Sequence, residues 1–298
     1  MAEFILYIVI LVACVKPLGH WMFGVLEAKR IGRLEKAIYR VTGVQTEAEM
    51  TWRQYFVALG VFNLLGLMAT YLIQRGQAIL PFNPLDLKGV DPYLAFNTAC
   101  SFASNTNWQA YGGESTMSWA SQMLALTTQN FVSAATGIAA MMALCRGFAR
   151  TEVRTLGNFW VDLTRATLYI LLPLSLVLSL LLVWQGVPQT LHQPAAVHTL
   201  QGGVEQMIPL GPVASQVAIK QLGTNGGGFY NVNSAHPLEN PNPVSNFLEC
   251  LSILLLPAAL CYTYGLAVAD KRQGWALLAA MLILFIPLTY ACIHFEAG

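Results

Sequence analysis

Long apolar segments alternate with shorter polar connections along most of this chain. Six apolar segments are long enough to cross a bilayer, which takes about 20 residues of helix. They cover residues 3–22, 54–74, 118–145, 158–184, 245–268 and 274–294. The first has no basic region ahead of it and no small-residue cleavage site, which favours an anchor over a signal peptide. The pattern predicts an all-α polytopic membrane protein with about six transmembrane helices.

Composition supports this prediction and excludes other classes. Of the 298 residues, 55% are hydrophobic and only 10% are charged, whereas soluble domains carry about 25% charged residues. The net charge of +1 comes without a basic stripe, so nucleic-acid binding is not expected. The histidines have no metal-ligand spacing, and no cofactor or transition metal is expected. The six cysteines form no CxxC motif, and we interpret them as small buried hydrophobic residues.

The basic residues predict an orientation. Twelve lie in or beside the connections after spans one, three and five, and three lie in the alternate connections. The twelve are Lys29, Arg30, Arg33, Lys36, Arg40, Arg53, Arg146, Arg150, Arg154, Arg165, Lys271 and Arg272. The three are Arg75, Lys88 and Lys220. Because basic residues favour the cytoplasmic side, the N-terminus and the connections 75–117 and 185–244 are expected outside.

Residues 26–43, "LEAKRIGRLEKAIYRVTG", place apolar side chains at near-helical spacing with basic residues between them. The apolar positions are Leu26, Ile31, Leu34, Ile38 and Val41. This pattern fits an amphipathic helix on the cytoplasmic membrane surface. A solvated connecting helix fits equally well, and the sequence leaves both open.

The two long outside connections share a design. In each, a proline precedes a weakly apolar stretch of about ten residues, and a neutral polar loop follows: "SNTNWQ" at 104–109 and "GTNGGG" at 223–228. We align Thr106-Asn107 with Thr224-Asn225, an offset of 118 residues that places Tyr111 opposite Phe229. Such internal similarity predicts tandem repeats of span, short helix, polar loop and span.

A helix of ten residues measures about 15 Å, half a bilayer, so neither stretch can span. A short helix followed by irregular polar backbone is typical of a re-entrant pore loop. Neutral carbonyl, hydroxyl and amide oxygens suit a dehydrating K⁺, and the C-terminal end of each short helix adds partial negative charge. "GTNGGG" alone also fits a flexible outside loop, but the two loops together predict a selectivity filter.

Five further side chains carry weaker signals. Trp108 and Tyr111 fit either interfacial anchors or an aromatic cuff around the filter, and we favour the cuff. Glu249, in the fifth span, is expected to face the pore or a polar partner. Asp162 and Arg165, near the cytoplasmic end of span four, are expected to pair structurally.

Several stretches resemble the potassium-binding and translocating A subunit of the Kdp-type potassium-transporting ATPase. They are "SFASNTNWQAYGGE", "LTTQNFVSAATGIA", "GPVASQVAIKQLGTNGGGFYNVNSAHPLENP" and "DKRQG". The resemblance runs along essentially the whole chain. It implies a fold of the potassium-transporter superfamily, in which four span–pore-loop–span repeats surround one axis.

The resemblance also implies a function and partners. It implies selective K⁺ uptake through a filter, with K⁺ as substrate, driven by a P-type ATPase subunit and accompanied by two small accessory membrane subunits. The implied location is a bacterial plasma membrane, in contact with lipid. The implied filter residues are Ser104, Asn105, Thr106, Asn107, Gln109, Gly223, Thr224, Asn225, Gly226, Gly227 and Gly228.

The predicted organisation covers about half of such a subunit. We divide the chain into an anchor with an interfacial helix (1–52), two repeats (53–152 and 153–270) and the first span of a third repeat (271–298). Two pore loops cannot enclose a four-sided filter. The chain is therefore expected to be a fragment, a truncated product or half of a split subunit, and to be inactive alone.

Two other functions remain open at this stage. Two copies could dimerise into a stand-alone channel or secondary transporter, because together they would supply four pore loops. A membrane enzyme is the third possibility, but the sequence shows no phosphorylated-Asp motif, no Walker loop and no nucleophile–base pair. Co-purification with a P-type ATPase would distinguish the pump subunit from both.

Overall fold

Long helices form nearly all of the structure, a computed structural model that describes residues 2–150 and 154–296. The α-helices are α1 (Ala2–Leu26), α2 (Arg33–Thr42), α3 (Trp52–Gly76), α4 (Pro92–Ala103), α5 (Gly113–Thr116), α6 (Thr128–Ala149), α7 (Phe159–Arg165), α8 (Leu172–Trp184), α9 (Val213–Leu222), α10 (Pro243–Ala267) and α11 (Lys271–Glu296). Two π-helical stretches continue them, Ser121–Thr127 before α6 and Ala166–Leu171 between α7 and α8. The predicted boundary between the two repeats, at 152/153, lies outside the described residues.

Six helical segments are long and apolar enough to cross a membrane, which confirms the predicted spans within a few residues. They are Glu3–Leu26, Trp52–Ile79, Ser121–Ala149, Phe159–Trp184, Pro243–Ala267 and Lys271–Glu296. The molecule is therefore an all-α polytopic membrane protein. The third span is the most buried, at 56% of its most apolar window, whereas the second and sixth are 6% buried. Helix α6 thus lies at the centre of the bundle.

A small β-hairpin, which the apolar pattern did not predict, lies in the connection between α8 and α9. Its antiparallel strands are β1 (Ala195–His198) and β2 (Glu205–Ile208), with Ala195 opposite Ile208 and His198 opposite Glu205. Strands of four residues are too short to show a clear alternation of apolar and polar residues, so the pattern did not reveal them. The hairpin is largely exposed and does not contribute to the core.

Close packing between α1 and α10 depends on small residues. A Cβ added at Gly19 would lie 2.8 Å from the carbonyl oxygen of Ala259. The hydroxyl of Thr263 donates to the Gly19 carbonyl at 3.2 Å. Small residues let membrane helices approach until backbone groups touch. The two helices therefore form one rigid side of the bundle.

The surface helix is shorter than predicted. Residues 27–32 are not helical, and α2 covers only Arg33–Thr42. Its buried residues are Glu35 and Tyr39, whereas Leu34 and Val41 are 55% and 87% exposed. The predicted apolar face therefore points away from the bundle.

An ion pair fixes which face of α2 packs on the bundle. Arg165 Nε donates to Glu35 Oε1 at 2.9 Å, and the Gly32 amide donates to Glu35 Oε2 at 2.7 Å. Although burial acts to raise it, these two bonds hold the pKa of the Glu35 carboxyl below its ordinary value. The carboxylate is ionised at neutral pH and anchors α2 to α7. The hydrophobic face is left to the membrane surface.

Asp162 and Arg165 both form buried ion pairs, but not with each other, so the predicted pairing is wrong. Arg146 binds Asp162 in a bidentate geometry, at 2.6 and 3.0 Å, and also binds Glu27. The hydroxyl of Tyr55 donates to the same Asp162 carboxylate at 3.0 Å. Because Asp162 and Arg165 are three residues apart on a helix, sequence proximity suggested a local pair. Each instead holds a different neighbouring segment.

The cysteines follow the prediction only in part. All six are free thiols, but Cys250 and Cys292 are exposed rather than buried. Both lie on the outward faces of spanning helices, where lipid replaces protein as the apolar environment.

We expect the Arg146–Asp162 pair to be essential for stability. Arg146→Met or Asp162→Asn would leave a buried charge without its partner, at a cost of about 3–5 kcal/mol. The double variant should recover part of this loss. The matched control is Arg150→Gln, because the Arg150–Glu49 pair is exposed and such pairs contribute about 0–1 kcal/mol. Thermal unfolding in detergent measures the difference, and equal losses for Arg150→Gln and Arg146→Met would contradict the account.

Candidate ion-binding site

Two short helices, α4 and α9, enter the bundle without crossing it. They contain 12 and 10 residues, about 18 and 15 Å of helix. Asp91 caps α4 by accepting hydrogen bonds from the Tyr93 and Leu94 amides, and Pro92 occupies the first turn. Each helix ends at a polar loop and directs the partial negative charge of its C-terminus at that loop. This geometry matches the predicted pair of re-entrant elements.

The two loops have the same backbone hydrogen bonds at an offset of 119 residues, not the predicted 118. The amides of Thr106 and Asn107 both donate to the Ser101 carbonyl, at 3.0 and 3.1 Å. The amides of Asn225 and Gly226 both donate to the Lys220 carbonyl, at 3.0 and 3.2 Å. The preceding turns match as well, from Ser104 to Cys100 and from Gly223 to Ile219.

Backbone handedness explains why the residue-by-residue alignment was wrong by one position. Asn105 and Asn107 have φ of 66° and 54°, and their structural equivalents Thr224 and Gly226 have 55° and 70°. Asparagine and glycine are the residues that tolerate this left-handed region. Matching the two Thr-Asn pairs by identity therefore shifted the true register. At the correct offset Tyr111 lies opposite Tyr230, not Phe229.

In the first loop the carbonyls of Ser104 and Trp108 accept no hydrogen bond from the described part of the chain. Between them, three consecutive carbonyls are free at positions that are equivalent in the two loops. They are the carbonyls of Asn105, Thr106 and Asn107 in the first loop and of Thr224, Asn225 and Gly226 in the second. The middle residue of each set is not among the residues with positive φ, so handedness alternates along the loop. Such alternation turns successive peptide dipoles to the same side. Each loop thus presents a row of free oxygens.

The side chain of Gln109 joins the first loop to the second. Its Nε2 donates to the Gly228 carbonyl at 2.7 Å, and its Oε1 accepts the Gly228 amide hydrogen at 2.8 Å. Asn231 Nδ2 donates back to the carbonyls of Gln109 and Tyr111, at 3.1 and 2.7 Å. The outer ends of both loops are therefore fixed relative to each other by side-chain amides.

A second polar contact fixes the inner ends of the loops. Asn105 Nδ2 donates to the Gly223 carbonyl at 3.1 Å, and Asn105 Oδ1 accepts from Ser133 Oγ at 2.7 Å and from Asn225 Nδ2. Asn225 also reaches Ser133 Oγ at 3.2 Å. Since Ser133 lies on the central helix α6, both loops are attached to the most buried span.

The π-helical stretch before α6 supplies another anchor. Gln122 donates from Nε2 to the Phe229 carbonyl at 3.0 Å and accepts from Gln216 Nε2 at 2.9 Å. The hydroxyl of Thr127 bonds the Gln122 carbonyl, five residues back. π-Bulges occur often at functional sites. Here the stretch brings one glutamine against both α9 and the backbone that follows the second loop.

The remaining predicted site residues differ in burial. Ser104, Thr106 and Thr224 are exposed, on the open side of the loops. Gly227 and Gly228 are buried and lack space for a side chain, since an added Cβ would collide with Gln109 Oε1 and with the Glu239 carboxylate, respectively. Asn107 is 2% exposed, and neither atom of its amide has a partner among the described residues.

One of the two aromatic residues proposed as a cuff packs against the loops. Tyr111 is buried and its hydroxyl accepts from Gln109 Nε2 at 3.1 Å. Trp108 is 67% exposed. Of the two, Tyr111 alone is buried against the loops.

Three charged residues lie next to the second loop. Glu249 is 4% exposed and its Oε2 accepts from Gln221 Nε2 at 3.3 Å, so it contacts the short helix α9. Lys220 and Glu239 are fully buried beside Gly228. Lys220, one of the three basic residues in the alternate connections, does not reach solvent. A lysine inside a ten-residue segment at membrane depth was the available signal.

The structure is that of a multi-pass membrane protein in which two short helices end at polar loops with matching backbone hydrogen bonds. The family model described as "Potassium-transporting ATPase A subunit" (KdpA) matches residues 5–298. The chain belongs to this family, which confirms the resemblance seen in the sequence.

Curated relatives agree with this assignment. Proteins named "Potassium-transporting ATPase potassium-binding subunit" are 57% identical in Sorangium cellulosum, 56% in Herpetosiphon aurantiacus and 52% in Methylococcus capsulatus. Each match covers 98% of this chain and 53%, 52% and 55% of the relative, respectively. The chain spans about half the length of the curated relatives it matches.

The corrected register predicts how each glycine of the second loop responds to substitution. Gly226→Asn should be nearly neutral, because Asn107 occupies the equivalent left-handed position and nothing lies within 4 Å of an added Cβ. Gly226→Ala should cost about 1–2 kcal/mol. Gly227→Ala should cost more, because its Cβ would displace Gln109.

Thermal unfolding of the protein in detergent measures these differences. Gly24→Ala, in α1 with open space around the Cβ, serves as the control and should be neutral or stabilising. A loss for Gly226→Asn as large as that for Gly227→Ala would contradict the offset of 119.

Proposed function

We propose that this chain forms the part of a potassium-transporting ATPase A subunit that carries two sides of a K⁺ selectivity filter. The observation that supports this best is the pair of matched carbonyl rows at 105–107 and 224–226. K⁺ gives up its hydration shell to rings of such carbonyls, which are neutral and moderate in strength. Loop residues 104–109 and 223–228 carry no ionisable side chain.

The side chains of the loops act mainly as supports rather than as ligands. Gln109, Asn105 and Asn225 are engaged with the opposite loop or with α6. The Gly227 carbonyl accepts from Ser234 Oγ at 2.9 Å, and the Gly228 carbonyl accepts from Gln109. Of the eleven predicted filter residues, we therefore assign coordination to the three carbonyls of each row. Ser104, Gly223, Gly227 and Gly228 shape the loops around them.

The remaining proposals follow from the family and from the charge pattern. The two repeats at 53–152 and 153–270 supply two sides of the filter, and the other two sides come from elsewhere in the assembled subunit. The loops face outside, as does the N-terminus, in a bacterial plasma membrane. This chain has no catalytic role, and a P-type ATPase subunit hydrolyses ATP while two small accessory subunits complete the complex.

The filter proposal is tested by comparing Gly226→Asp with Gly226→Asn in the assembled transport complex. The two side chains have nearly the same shape, both tolerate positive φ, and the structure leaves room for either. Neither side chain is crowded, and only the charge differs. A carboxylate beside the carbonyl row replaces a neutral ligand field with a charged one.

We expect Gly226→Asp to weaken K⁺ affinity and to reduce discrimination against Rb⁺ and NH₄⁺. Gly226→Asn should retain both properties, and Asn107→Asp should show a milder form of the same defect. Ion-dependent uptake at graded K⁺, Rb⁺ and NH₄⁺ concentrations gives the affinities. Wild-type selectivity in both aspartate variants would mean that these loops are not the filter.

A further inference from the structure

A buried lysine lies behind the second loop. Lys220, in the last turn of α9, is 0% exposed. Its Nζ donates to the Gly228 carbonyl at 2.9 Å and lies 4.9 Å from the centroid of the Phe102 ring. Burying an amine is costly unless it is hydrogen-bonded or paired. The Phe102 ring and the Gly228 carbonyl compensate that cost because both contact Nζ where it lies.

This contact determines which way the Gly228 carbonyl points. The oxygen accepts two hydrogen bonds, one from Lys220 Nζ and one from Gln109 Nε2 at 2.7 Å. A carbonyl oxygen has two lone pairs, and both are used here. The Gly228 carbonyl is therefore turned into the protein wall. The row of free carbonyls ends two residues earlier, at Gly226.

Glu239 holds the next part of the same strand. Its Oε1 accepts the amide hydrogens of Phe229 and Tyr230, the latter at 3.3 Å. An added Cβ at Gly228 would lie 2.6 Å from this oxygen, so the carboxylate packs directly on the glycine. Lys220 and Glu239 make no direct ion pair within the described residues. They fix the carbonyl of one peptide and the amides that follow it.

The first loop has no such pair of charges. The structural equivalent of Lys220, 119 residues earlier, is Ser101, whose carbonyl makes the same two backbone bonds. The outer end of that loop is held by Asn231, which donates to the Gln109 carbonyl at 3.1 Å. Neutral groups thus hold the first loop. A buried amine and a buried carboxylate hold the second loop in the same conformation.

We propose that Lys220 is a specificity-determining positioning residue that, together with Glu239, keeps the Thr224–Gly226 carbonyls directed at the ion. The inference rests on the proposed filter function of the loops. By holding the Gly228 carbonyl against the wall, Lys220 fixes the peptide that follows the left-handed pair Gly226-Gly227. Without Lys220 the Gly228 carbonyl is held by Gln109 alone, and the peptides of the two glycines before it are less restrained, so the carbonyl row loses part of its direction.

The test compares Lys220→Met, Glu239→Gln and the double variant in the assembled transport complex. Methionine keeps the length and apolar stem of lysine but cannot donate a hydrogen bond. The exposed Lys88→Met serves as a matched control. The measurements are the yield and thermal stability of the complex, and the KM and maximal rate of uptake for K⁺ and for Rb⁺.

We expect Lys220→Met to raise the KM for K⁺ about tenfold, which corresponds to ~1.4 kcal/mol. The preference for K⁺ over Rb⁺ should fall while the maximal rate is retained. The single variants should also lose thermal stability, because each leaves one buried charge uncompensated. The double variant should regain stability but keep the altered KM and selectivity, since the donor to Gly228 is still missing.

Several results would overturn the proposal. Wild-type KM and selectivity in the double variant would show that Lys220 only balances the charge of Glu239. Wild-type selectivity in Lys220→Met, with altered selectivity in Gly226→Asp, would reject the role of Lys220 and leave the filter in place. If neither changed selectivity, both proposals would fail. If neither Lys220→Met nor the double variant assembled, the pair would belong to folding rather than to specificity.

Discussion

The arrangement of the two polar loops depends on one side chain, the amide of Gln109, which bonds both backbone groups of Gly228. Irregular backbone at membrane depth must find its hydrogen-bond partners within the protein, because no lipid group can supply them. Gln109 meets this requirement as a neighbouring β-strand would, because its amide offers one donor and one acceptor to the backbone of the same residue, Gly228. This contact joins two loops that lie 119 residues apart in the sequence. In each loop, the free carbonyls precede the residue that makes the contact.

The same requirement explains the other polar groups in the interior. Asn105, Asn225 and Ser133 bond one another at the inner ends of the loops, and Gln122 holds the backbone beyond the second loop. At the opposite end of the bundle, Arg146 and Arg165 attach the connecting segments to α7 through buried carboxylates. The apolar surfaces of α3 and α11 carry none of these constraints. Buried polar side chains therefore determine where the loops and the connecting segments lie in the bundle.

The sequence predicted the large elements well because they follow from hydrophobic length. Six spans and two short re-entrant helices were evident from runs of apolar residues, and the family was evident from the motifs. Register was not predictable in this way: the identical Thr-Asn pairs suggested an offset of 118, whereas backbone handedness pairs Asn107 with Gly226. The contact that holds α2 to the bundle was not predictable, because Glu35 pairs with Arg165, 130 residues away in the sequence. Burial of Lys220 was not predicted, because lysine side chains normally lie at the solvent-exposed surface.

The central claim is that K⁺ is coordinated by the backbone carbonyls of 105–107 and 224–226. Anomalous scattering from Tl⁺, a heavy substitute for K⁺, measured on crystals of the assembled complex, locates the ions directly. The account predicts anomalous peaks within coordination distance of both carbonyl rows, at matching heights of the two loops. Peaks beside Gly227 and Gly228 instead, or none between the loops, would contradict it.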